Sequence, residues 1–280
     1  MSDGRLYEWG AETELKGTAS RFCPVPYDLI INKELYDQRI TLFCYLFMRK
    51  GADNLIMFSN SNLHQWCNKK TDTHKNGVTT KFNKLMNDFE RLRYVSIKMA
   101  SKYSCTEIEF TYEKANHFSM LWLDEIEVIL DLGHKCNVSI DVLLLVFAWL
   151  RYHIYRRSNQ VMYGEEVLDD SMRIIRDETI KQRQLRYPEC YNCYLQDIAK
   201  DIGIPERTVS NAIKVLKDLK LIYYETLPRT KYENQWHTNH TLFTNYYKRE
   251  SNAKGQKLLA SGETYYLKEI ANKKKQLGIA

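Results

Sequence analysis

A chain of 280 residues is longer than one ordinary compact domain and suits two, each with its own core. Its 44% hydrophobic and 27% charged residues match a globular protein and exclude the polar bias of disordered chains. A net charge of +6 is compatible with a polyanionic partner without demanding one, so the distribution of charge matters more. Residues 61–114 hold ten Lys and Arg against six Asp and Glu, whereas residues 115–190 hold nine against twelve.

In chain order, Met1 to Arg5 opens on charges and lacks the apolar run of a secretory signal. Seven scattered cysteines, an odd number, predict reduced thiols, and together these features predict a cytoplasmic protein. Residues 1–21 read as an arm ahead of a first unit, 22–115. There Asn32 is placed to cap a helix over 33–50 that buries Ile40, Phe43, Tyr45, Leu46 and Phe47, with Gly51 at its exit. A short helix over 59–67 carries Leu63, Trp66 and Cys67. A longer one over 77–91 aligns Val78, Phe82, Leu85, Met86 and Phe89 on one face. The stretch between them holds Lys69, Lys70 and Lys75. Residues 94–99 and 105–112, joined by a turn at 101–104, predict a hairpin.

A second unit, 116–250, opens on Phe118-Ser-Met-Leu-Trp-Leu-Asp-Glu-Ile126 as the first opens on Phe22-Cys-Pro-Val-Pro-Tyr-Asp-Leu-Ile30. Val142 to Leu150 is uninterruptedly apolar but far short of the roughly 20 residues a bilayer requires. It predicts instead a buried helix over 138–157, with Leu143, Leu144, Val146, Phe147 and Leu150 beneath the helices that follow, and no membrane partner. An insertion, 158–190, sets Leu168, Met172, Ile175, Thr179 and Arg183 at helical spacing among many charges, the pattern of a mobile amphipathic helix. Then come two apolar stripes of helical period, at 195, 198, 199 and 202 and at 209, 212, 213, 216 and 219. Between them Gly203 can take the left-handed conformation that closes a helix, and Pro205 presets the first turn of the next. That is a helix-turn-helix. Residues 221–226 and 241–247 read as strands either side of a polar loop, which is a wing. A basic helical tail, 251–280, holds Tyr265, Leu267, Ile270 and Lys273-Lys274-Lys275 and can add salt-sensitive affinity for DNA. The predicted fold class is mainly α with small β-hairpins (α+β), in two tandem winged helix-turn-helix domains.

On the second recognition helix the face opposite the apolar stripe displays Arg207, Thr208, Ser210, Asn211 and Lys214. Arg can grip guanine bidentately and Asn can do the same with adenine, which makes this the reading face. On the first, Asn76, Thr79, Thr80, Lys81, Asn83 and Lys84, led in by Lys69, Lys70 and Lys75, are weighted toward lysine, a point charge that holds phosphates rather than specifying bases. Lys98 and Lys102 in one wing, with Arg229 and Lys231 in the other, complete the candidate DNA contacts. Cys190 and Cys193, with His237 and His240, have the ligand types of a tetrahedral zinc. The histidine spacing is shorter than that of a finger, so no metal is assigned, and no cofactor either. His153-Ile-Tyr-Arg156 matches the HxxR of tyrosine recombinases superficially. It has no surrounding context and reads as a basic helix end. The chain has no GxxxxGK[ST], GxGxxG, HExxH or GxSxG, which argues against an enzyme.

Leu195 to Ile222 resembles winged-helix regulators, down to the Gly-Ile turn and the Leu-Lys-Leu-Ile exit into a strand. Two tandem units, a tyrosine-rich chain and a lysine tail look like the replication initiators of plasmids, phages and integrative elements of Gram-positive bacteria, plasmid initiators and DnaD-like primosomal proteins included. The resemblance implies binding to repeated origin sites on double-stranded DNA and recruitment of host helicase-loading or primosome proteins. The insertion at 158–190 departs from that compact plan. A transcriptional regulator bound to a promoter, a winged-helix adaptor that touches only protein, and self-association into a homo-oligomer all remain open at this level.

Overall fold

The computed structural model describes residues 22–51, 53–67, 76–100, 106–112, 117–133, 136–162, 190–226, 230–232, 235–237, 241–245, 270–275 and 278. It is a mixed α/β fold with small antiparallel sheets. The chain divides into two compact units, one of Met1–Ala148 with Asp201–Gly203 and another of Trp149–Lys200 with Ile204–Ala280. The arm, most of the insertion and most of the tail lie outside the described residues.

In the first unit, β1 (Phe22–Pro26) leads into α1 (Tyr27–Ile31) and α2 (Arg39–Arg49). The helix expected from residue 33 starts at Arg39. The Asn32 side chain accepts from the Glu34 backbone N–H at 3.1 Å, closing a local turn in place of a helix cap. Arg39 then holds this loop down. Fully buried, its guanidinium donates to the carbonyls of Leu29 (2.9 Å), Ile30 (2.7 Å), Leu35 (3.4 Å), Tyr36 (3.3 Å) and Ile202 (3.2 Å). Burial brings its pKa down to about 10, which leaves it charged at neutral pH with its donors occupied.

Next come β2 (Leu55–Phe58), α3 (Asn60–Trp66), α4 (Asn76–Arg91), β3 (Val95–Ala100) and β4 (Thr106–Phe110). Ser59 starts α3 by accepting from the Asn62 N–H at 3.1 Å. The strands form a sheet in the order β2-β4-β3, with Ile56 opposite Ile108 and Val95 opposite Phe110. Phe43 of α2 meets Phe89, Tyr94, Phe110 and Tyr112 edge-on at 5.2–6.5 Å between ring centroids, the aromatic centre of this core.

The two similar preludes meet in the first unit: β1 pairs antiparallel with β5 (Phe118–Trp122), from Phe22 opposite Trp122 to Pro26 opposite Phe118. After α5 (Leu123–Gly133) comes α6 (Ile140–Met162), longer than the predicted helix. Residues 140–152 are buried, Asp141 and Arg151 among them, and the stretch 142–150 is apolar all round, the pattern of a buried helix. At its start Asp141 accepts from the Thr41 hydroxyl at 2.7 Å and the Gln38 amide at 3.4 Å. Leu143, Leu144, Val146 and Phe147, expected beneath the later helix pair, belong to the first unit, the division passing after Ala148. No helix among the described residues is long and apolar enough to cross a membrane.

The second unit continues α6 from Trp149 and contains β6 (Cys190–Cys193), most of α7 (Leu195–Ile202), α8 (Glu206–Asp218), β7 (Ile222–Thr226), β8 (Thr230–Tyr232), β9 (Gln235–His237) and β10 (Thr241–Asn245). The sheet order is β6-β10-β7, and β8 pairs with β9 inside the segment expected to be a plain loop. A reciprocal cap opens α7: Asp197 N–H donates to the Tyr194 carbonyl, and Tyr194 N–H donates to the Asp197 carboxylate at 3.2 Å. Gly203, at φ +79, closes it, and Ile204 N–H donates back to the Ala199 carbonyl at 3.2 Å.

Residues 270–275 are helical and cover one face of the second sheet. Ile270 packs on Cys190 and Leu242 with Tyr223 beside them, and Lys274 pairs with Glu225. Of the lysine triplet, Lys273 is buried, Lys274 is half-buried and Lys275 is exposed.

In both halves the described elements run helix, strand, helix, helix, strand and a last strand (α2 to β4, and α6 to β10), the second half adding the β8–β9 pair before its last strand, and in both the first strand is hydrogen-bonded to the last. Both long second helices also end alike, on left-handed cationic residues: Arg93 (φ 62) after α4 and Lys220 (φ 56) after α8.

Candidate nucleic-acid interface

Helix α8 buries Val209, Ala212, Ile213 and Leu216. Its other side leaves Arg207, Asn211 and Lys214 exposed and Thr208 and Ser210 half-buried. Between Glu206 and Asp218 the helix contains no acidic residue, so these donors form an unbroken cationic and amide face. Such a face has the hydrogen-bonding capacity to grip phosphate oxygens and base edges.

Helix α4 buries Phe82, Leu85, Met86 and Phe89 and exposes Lys81, Asn83 and Lys84. Its first acidic residue is Asp88, in its last turns, where it pairs with Arg91 at 3.2 Å. Glu90 is likewise engaged, accepting from the Ile97 N–H at 3.0 Å. The half of α4 that carries the lysines is thus free of carboxylates. Thr79 and Thr80 lie in the opening turns of this helix.

One neighbour of this face is not apparent in the sequence. The ring of Tyr36, in the loop between α1 and α2, lies 5.7 Å from Lys81 Nζ and 5.4 Å from Lys84 Nζ. No periodic pattern links Tyr36 to α4, since the contact is made only when the loop folds back. In the second unit the comparable lysine–tyrosine contact is at the far end of α8, where Lys217 Nζ lies 5.0 Å from the Tyr223 ring and 4.8 Å from that of Tyr224.

The wing candidates divide. Lys98 is exposed on β3 but pairs with Glu109 of β4, so its charge is engaged within the sheet. Lys231 lies on β8, opposite Trp236 of β9. Lys69, Lys70, Lys75, Lys102 and Arg229 lie outside the described residues.

The cysteine pair does not converge on one point. Cys190 and Cys193 are the two ends of β6, paired with Thr244 and Thr241 of β10, and three positions apart on a strand point to opposite faces. Cys190 packs under Ile270, and Cys193 is buried as well. His237 is the last residue of β9, and His240 lies outside the described residues. Among the described residues no group of three His, Cys, Asp or Glu side chains is placed to hold a metal ion. No known protein-family model matches this chain, and no curated protein sequence matches it significantly.

Proposed function

We propose that this protein binds duplex DNA sequence-specifically through two tandem winged helix-turn-helix domains, as the replication initiator of a mobile genetic element and not as an enzyme. The observation that carries the reading is a repeated one: α4 and α8 each follow a shorter helix and precede a strand of the sheet, and each exposes cationic and amide side chains over a stretch without carboxylates, ahead of Asp88 on α4 and between Glu206 and Asp218 on α8. In this reading α8 inserts Arg207 and Asn211 among base edges, while α4 anchors phosphates through Lys81 and Lys84. The initiator role draws on the tandem plan, which suits iterated sites in an origin, with host helicase-loading proteins recruited there.

Footprinting on the DNA flanking the protein's own gene tests this. Iterated protected sites support an initiator, and a single site overlapping a promoter makes it a transcriptional regulator instead. If duplex affinity fails to fall steeply with salt, phosphate contacts are absent and the protein acts on other proteins alone.

A further inference from the structure

The loop at residues 32–38 sets one aromatic ring beside two cations that an isolated helix would leave to wander. Lys81 and Lys84 stand three apart on α4, hence on one face, and both are exposed. Each ammonium lies within 6 Å of the Tyr36 ring centre, the range in which the negative face of an aromatic ring attracts a cation. Among the described residues neither lysine has a carboxylate partner within bridging distance. The ring itself is firmly based. The Tyr36 carbonyl accepts from the Arg39 backbone N–H at 3.0 Å and from its guanidinium at 3.3 Å, and the neighbouring Leu35 is buried. Asp37, the next residue, is 3.9 Å from the same guanidinium, which draws its charge toward Arg39.

We propose that Tyr36 is a positioning residue that gathers Lys81 and Lys84 into one clamp for neighbouring phosphodiester groups of a DNA strand; the proposal rests on the DNA-binding reading above. A lysine is a flexible point charge with three donors, and two of them side by side repel. A ring that attracts both offsets the repulsion and restricts the stems before the ligand arrives, while the ammonium donors not facing the ring remain available to phosphate oxygens. The ordering cost of binding falls accordingly. No described ring lies beneath Arg207 or Lys214, so the clamp belongs to the first unit, and phosphate anchoring there gains a structural cause.

The test uses the full chain and a labelled 30-base-pair duplex of random sequence, with anisotropy read over a salt series. Tyr36→Phe keeps the ring and binds as the wild type does. Tyr36→Leu weakens binding about fivefold at low salt, from the loss of exposed cation–π contacts. It also lowers the salt slope by about one, as a lost phosphate contact does. Pentafluorophenylalanine at position 36, which retains the ring shape but reverses its quadrupole, reproduces the Leu loss and separates electrostatics from packing should the Leu variant unfold. With Lys81→Gln and Lys84→Gln already in place, none of these changes has a further effect. Wild-type affinity and slope in the fluorinated variant, an equal loss in Tyr36→Phe, or a full loss in the double-Gln background each overturns the clamp while leaving DNA binding intact. A wild-type protein without salt-dependent duplex affinity overturns the DNA-binding reading itself.

Discussion

The two sheets share a strand order and differ in what covers them. In the first, the face carrying Leu55 and Met57 is open, with those side chains 36% and 61% exposed beside Glu107 and Glu109 of β4. In the second, all five residues of β10 are buried: the helix at 270–275 lies on the face of Cys190 and Leu242, while Tyr191 of β6 meets Trp149 edge-on at 5.9 Å between ring centroids. The helix at 270–275 thus serves as a lid in one unit, and the other unit has no such lid among the described residues. The same plan can be completed by burial or left open, and side chains at equivalent places carry different energetic weight.

The sharpest way to break this comparison is to truncate the apolar contact on each sheet. Ile270→Ala, in a fully buried cluster, costs the second unit about 2–4 kcal/mol, less whatever the short helix recovers by resettling. Met57→Ala on the open face costs within about 0.5 kcal/mol. Urea unfolding followed by probes in each unit separates the two, and equal small losses would mean that the lid is not seated in solution. A comparable contrast is expected on DNA. Arg207→Ala and Asn211→Ala each lose about 1–3 kcal/mol of discrimination between preferred and scrambled sites. Lys81→Gln with Lys84→Gln weakens all duplexes alike and lowers the salt slope by about two. A change in base preference from the lysine pair alone would reverse the assigned division of labour.

Gly203 sharpens the comparison at the turns. Between α7 and α8 the chain has room only for a left-handed residue, and a Cβ at Gly203 would approach Lys33 Cγ to 3.1 Å and Cβ to 3.4 Å, a contact within the first unit. Gly203→Ala therefore costs about 1–2 kcal/mol from the backbone alone, with a further small amount for moving the lysine stem. Thermal unfolding reads this directly, and an unchanged midpoint would show that the turn relaxes freely.

How much of this the sequence shows depends on the range of the interaction involved. The pair α7 and α8 is legible because its signals are local: stripes of helical period, Gly203, Pro205. The first strand of each sheet is not. Leu55-Ile-Met-Phe58 is short and its exposed positions are apolar, so no alternation marks it. Cys190-Tyr-Asn-Cys193 resembles a ligand pair, and only the distant β10 makes it a strand. The same holds for the burial of Lys273, which the triplet alone does not suggest, and for Tyr36, whose place beside α4 depends on Arg39 reaching back to the α1 carbonyls. The exposure of Lys81, Asn83 and Lys84 on α4 and of Arg207, Asn211 and Lys214 on α8 is legible too, because burial of one helix face fixes the other.

The smallest expected effect tests where the units agree. Arg93 and Lys220 occupy the same left-handed exit with the same bonds. Arg93 N–H donates to the Glu90 carbonyl and Tyr94 N–H to that of Phe89, as Lys220 N–H donates to Lys217 and Leu221 N–H to Leu216. An L side chain in this region costs about 1–2 kcal/mol, which glycine avoids. Against that gain stand the extra unfolded-state entropy of glycine, about 0.4–1 kcal/mol, and the loss of a cation at a helix C-terminus, about 0.3–1 kcal/mol. The terms nearly cancel, so Arg93→Gly and Lys220→Gly should each stabilise their unit by no more than about 0.5 kcal/mol, with the same sign at both sites. Asn54, also left-handed at φ 60, belongs to a residue type that tolerates this region, so Asn54→Gly gains less. Opposite signs for Arg93→Gly and Lys220→Gly, read from urea midpoints at constant slope, would show that one cation makes a contact the other lacks, and the likeness of the two exits would be one of backbone only.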